Sequence, residues 1–283
     1  MNAPAIVFET HFGEYSIPNR WELLSPEQYL YVCELLENYA AGKLSYRKLH
    51  ISFILRALKL NPRKVKGTSA HESLYLLSEQ IDFIFKDGQH INNCFLAQLL
   101  PELMVNGKTF KAYEIHTNFG TLTSSLTAIQ FIEAYDLLGC PAEKLPLLAA
   151  ILYYPGQYTS EGAHVLSKEF IALDDVVLQA IALNFQAFAN YLFTSTPFSI
   201  LYMRKPKEHK PPISIGMTES LYNLSADGLG NVEVIEQMPV IKYLSILRKK
   251  LIESVTAMND AGIDMVEISD KTGLSIKTIK QII

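Results

Sequence analysis

Paired cysteines are missing: Cys33, Cys94 and Cys140 lie far apart in the 283-residue chain. That excludes a disulfide framework and a zinc module of clustered thiols, and it points to a reducing, intracellular setting. An excess of positive charge is missing too, with a formal net charge of -4 and a pI near 6.0. No general affinity for nucleic acid or an anionic membrane is expected, and any nucleic-acid contact has to be local. The opening residues MNAPAIVFETHFGEY hold no basic leader, and their apolar run stops at Glu9, so no signal peptide is expected. The longest stretch without charge, Val176 to Met203, is long enough to raise a membrane span. Gln179, Gln186 and Asn190 fall on one helical stripe within it, which predicts a mostly buried helix and no membrane partner.

Chemistry-bearing patterns are also absent. The seven histidines, at positions 11, 50, 71, 90, 116, 164 and 209, show no HExxH or HxH spacing, and they are expected to be surface or capping residues. Asp174-Asp175 precedes a long apolar run, where negative charge complements a helix dipole, so it reads as a cap. Asp227-Gly228-Leu229-Gly230 has neither the preceding strand nor the lysine of a phosphate loop, and reads as a turn. No catalytic, cofactor-binding or metal-binding residue emerges, and a non-enzymatic role is expected.

What is present is a large hydrophobic share, 49%, patterned for helices. Ser25-Pro26-Glu27-Gln28 predicts a capped helix to about Tyr39, and Ser45 a second one ending near Leu60-Asn61-Pro62. After the basic turn from Pro62 to Gly67, Ser69 and Glu72 predict a third helix through Phe85, stopped by Asp87-Gly88. From Ile91 to Thr123, Asn106-Gly107 and alternating apolar residues predict a hairpin or extended excursion. Helices follow from Thr127, after Pro141 and after Asp174.

The fold class is therefore mainly α. A multi-helix domain with a small hairpin element is expected over 1–203, and a basic, proline-rich linker over 204–212. A helical region over 213–283 completes the chain, with Pro239 kinking or breaking a helix. Its last part, Met265 to Ile283, has the outline of a helix-turn-helix. Gly273 sits at the turn, Ser275 at the second cap, and Leu274, Ile279 and Ile282 where the helices would face each other. In a nucleic-acid reading, Ser275, Lys277, Thr278 and Lys280 are the candidate DNA contacts.

Aromatic residues cluster from Tyr153 to Phe198, and a protein-interaction surface is one reading of them beside core packing. Three stretches, IPNRWELLSPEQYLYVCELL, LPLLAAILYYP and DGLGNVEVIEQMPVIKYLSILRKK, together resemble poorly characterised proteins of Bacteroidetes phages and prophages, often encoded among tail and virion morphogenesis genes. The resemblance implies an assembly role in the cytoplasm of a bacterial host or in a virion, with a protein partner or self-association. The alternative is a DNA-binding or regulatory protein acting through its C-terminal helical pair.

Overall fold

The computed structural model describes residues 4–10, 13–88, 90–202 and 218–283. The expected linker, 204–212, lies outside them, as do His11 and His209. The described chain is mainly helical with small antiparallel hairpins. It divides into two units, one of residues up to Leu100 with 172–187, the other of 101–171 with 188–283.

In the first unit, β1 (Ala5–Thr10) pairs with β2 (Gly13–Pro18). Trp21 follows, buried and stacked on Phe95 at 5.1 Å. α1 (Pro26–Ala40) starts at a complete capping box: Ser25 Oγ accepts from the Gln28 amide, and the Gln28 side chain accepts from the Ser25 amide. Its Tyr29 hydroxyl donates to the Ala180 carbonyl. α2 (Tyr46–Ala57) buries Leu49, His50, Phe53 and Ile54. It closes through Lys59, held at φ 55°, with the Leu60 amide bonded to the Leu55 carbonyl.

α3 (Thr68–Gln80) departs from expectation at both ends. Its N-cap is Gly67, two residues before the expected Ser69, and it stops well short of Phe85. The cause is Asn19, whose amide donates to the Gln80 carbonyl and whose Oδ1 accepts from the Asp82 amide, so a distant side chain takes over the helix end. Ile81, Phe83, Ile84 and Phe85 are then all buried, which a single helical face could not achieve. Phe85–Lys86 (β3) pairs with His90–Ile91 (β4) across the Asp87-Gly88 turn.

In the second unit, β5 (Glu102–Val105) and β6 (Lys108–Lys111) join through Asn106-Gly107, and β7 (Ile115–Asn118) and β8 (Thr121–Ser124) through Phe119-Gly120. α4 (Ala128–Leu137) carries a second capping box, Thr127 with Gln130. α5 (Leu145–Leu152) packs against α6 (Ser160–Phe170), a helix beyond those expected from the sequence. α7 (Asp175–Ser195) contributes to both units. It is long and apolar enough to cross a membrane, but Phe185, Phe188 and Leu192 are buried within the protein. The buried Asn184 is satisfied by the Leu99 amide and the Ala97 carbonyl. α8 (Ser199–Tyr202), α9 (Glu219–Ala226), α10 (Val232–Glu236), α11 (Val240–Asp260), α12 (Met265–Thr272) and α13 (Ile276–Ile282) complete the unit. Pro239 breaks rather than kinks the helix. Beside it, the Ala128 amide bonds to the Met238 carbonyl and the Val240 amide to the Leu126 carbonyl, so α4 and α11 start from one clamp.

Candidate functional site

Residues 265–283 form two short helices, α12 and α13, folded against α11. Leu251 and Val255 of α11, Ile268 of α12, and Leu274 and Ile279 form one buried cluster. Gly273 takes φ 73° and returns its amide to the Ser269 carbonyl, a conformation that costs a residue with a Cβ roughly 1–2 kcal/mol. The buried Ser269 hydroxyl donates to the Leu274 carbonyl and fixes the turn from inside.

The four candidate contacts divide in two. Ser275 is exposed, but its Oγ accepts from the Thr278 amide and so caps α13. Thr278 is turned inward at 8% exposure, its hydroxyl 2.8 Å from that of Ser275. Thr278 is thus a packing and capping residue with no free face. Lys277 and Lys280 alone point to solvent with charge to offer. On α12, the nearest lysine, Lys271, is already paired with Glu267 at 2.8 Å.

The aromatic residues expected as a surface from Tyr153 to Phe198 are largely interior. Tyr153, Tyr158, Phe185, Phe188 and Phe193 are all buried, Tyr153 against Phe170, Phe188 against Tyr113 and Phe193 against Phe131. One part stays open. A cleft of about 550 Å³ is lined by Tyr135, Phe193, Tyr202, Leu224, Leu247 and Leu251, with the Lys250–Asp227 ion pair among its lining residues. Burial, then the Tyr202 hydroxyl and Asp136, push the Tyr135 hydroxyl above its ordinary pKa, so it enters the cleft as a neutral donor. That lining suits the binding of an apolar group.

Two titratable sites went unmarked in the sequence. Glu133 accepts hydrogen bonds from the Tyr158 and Ser160 hydroxyls. Burial, then Glu133 and Glu233, raise the pKa of Glu236 nearby. Among the described residues, no three His, Cys, Asp or Glu side chains converge as metal ligands. His50, expected at the surface, is instead buried in a ring of Tyr46 and Phe85. Burial lowers its pKa to about 4, with the Ser78 backbone opposing the shift, so it is neutral at pH 7.

The remaining feature is Phe119. Asn118 faces Thr121 across a two-residue turn in which Phe119 takes φ 50° and Gly120 φ 77°. The β5–β6 hairpin makes the same turn with Asn106 at φ 50° and Gly107 at φ 77°. Asparagine tolerates this left-handed conformation and phenylalanine does so poorly. Phe119 is nonetheless placed there with its ring fully exposed, at 108% of the reference area. The Asn-Phe-Gly-Thr sequence between alternating residues was the signal for this second hairpin, overshadowed by Asn106-Gly107. Compared with family models, with curated proteins and with solved structures, the chain matches none.

Proposed function

We propose that the chain is a non-enzymatic assembly protein that works by protein–protein contact, in a phage-type tail or virion morphogenesis role, within a bacterial cytoplasm or a virion. The observation that carries this reading is Phe119. Its ring stands in water on a strained backbone, at a position where the preceding hairpin uses asparagine, which tolerates that conformation better. Both costs, the exposed apolar area and the left-handed φ, are offset when the ring enters a pocket on another molecule. Rigid aromatic side chains at protruding positions serve as anchors of this kind.

The test is Phe119→Asn in the full chain. Removing the strain is expected to stabilise the protein by about 1 kcal/mol, read as a higher Tm. Sedimentation velocity over a concentration series is expected to show association in the parent and its loss in the variant. An assembly state that does not change between the two proteins, at equal folded content, would count against the reading.

A second reading, a DNA-binding or regulatory protein, rests on the exposed pair Lys277 and Lys280 of α13. It is weaker, because Thr278 is buried and Ser275 already caps the helix, so two lysines are the exposed charge that α13 offers.

A further inference from the structure

Residues 38–71 contain eight of the chain's 25 Lys and Arg and none of its 29 Asp and Glu. In a protein of net charge -4 this is a sharp local excess, and it covers the turn before α2, α2 itself and the turn leading to α3. Since α2 buries Leu49, His50, Phe53 and Ile54, its cations are confined to the outward side. Two are neutralised from neighbouring helices. Arg47 lies 3.6 Å from Glu79 and over the Tyr75 ring, and Arg56 lies 2.5 Å from Glu27. Lys43, Lys48, Lys59, Arg63 and Lys66 are exposed, and among the described residues none makes an ion pair. The first turn of α2 carries no acid to offset them.

We infer that this surface binds the phosphate backbone of a nucleic acid, independently of Phe119 and of the C-terminal pair. Like charges concentrated in a short stretch of chain repel one another, and a polyanion that displaces its own counterions relieves that repulsion. The side-chain types select the partner. Four of the five unpaired cations are lysines, which are depleted in protein–protein interfaces, whereas compact, mobile ammonium groups serve well as contacts to phosphates. The binding is expected to be sequence-independent, because contacts to phosphates carry no base information.

The experiment is fluorescence anisotropy of the full chain with a labelled random-sequence duplex of about 25 base pairs, over a salt series. Five phosphate contacts give a slope of log K against log salt of about -4.5. The variant Lys48→Glu/Arg63→Glu/Lys66→Glu spares Lys59, whose φ of 55° closes α2. It is expected to bind at least tenfold more weakly at low salt, with a slope flatter by about 3. Should that variant not fold, by circular dichroism, the Gln version at the same positions is expected to flatten the slope equally. No salt-dependent binding by the parent overturns the inference. So does a loss of binding confined to Lys277→Glu/Lys280→Glu, or equal binding of polyglutamate, which would make the partner an acidic protein.

Discussion

Residues 38–71 and residues 265–283 both place lysines on a short helix, but they invest differently. The C-terminal pair has shape: a left-handed glycine turn, a capped second helix and a closed apolar cluster, with only two free cations on α13. The α2 region has charge: five exposed cations without acidic partners, on a helix whose Ser45 makes no side-chain cap. A glycine turn between two short helices is a way to close an apolar cluster, and affinity for a polyanion is a matter of uncompensated charge. In this chain the two properties sit in different places.

Breaking the shape is expected to have the largest effect. Ile279→Asp puts a carboxylate into a site with no exposure and no partner, at a cost of about 3–5 kcal/mol. Hydrogen exchange is expected to show α12 and α13 losing protection while α1 to α3 keep theirs. Protection unchanged over 265–283 would mean the cluster does not hold the pair together.

Acid sharpens the comparison from the other side, because protonating His50 adds a charge to the inner face of α2. Its folded pKa, about 4, lies below the unfolded value near 6.5, so the neutral form is the one that fits the fold. The related stability is complete above pH 6.5 and is lost as pH falls toward 4, by about 3 kcal/mol in all. Denaturant midpoints measured across that window should therefore be flatter in His50→Leu than in the parent. Parallel profiles would show that the imidazole is not held neutral by the fold.

Smaller still is the cap. Ser275→Ala is expected to cost about 1 kcal/mol, the loss of the cap to the Thr278 amide, with nucleic-acid affinity unaltered. Weaker DNA binding by this variant at equal stability would restore Ser275 as a contact. Smallest, in stability, are the glutamates at Lys48, Arg63 and Lys66. Each is an exposed substitution expected within about 0.5 kcal/mol, although together they abolish most polyanion binding.

Local signals in the sequence were enough wherever the partners are close. Ser25 with Gln28, and Thr127 with Gln130, bond three residues apart, and both helices begin where the pattern places them. The end of α3 could not be read locally, because its terminator, Asn19, is 61 residues away. The placement of Thr278 depended on rotation: one residue along a helix turns the side chain by about 100°, enough to put Lys277 in water and Thr278 in the interior. The aromatic residues around Tyr153 fit core and surface equally well until their helices were packed. The excess of charge over 38–71 is legible by a count alone, and the basic turn from Pro62 to Gly67 is only its last part.

The clamp at Pro239 also carries a timing. During synthesis Ala128 leaves the ribosome with its amide unmatched, and the Met238 carbonyl that receives it follows roughly 110 residues later, on the order of ten seconds at usual elongation rates. α12 and α13, by contrast, find their partners on α11 within a short span of chain. The second unit thus has a late-closing seam and a fast-closing end.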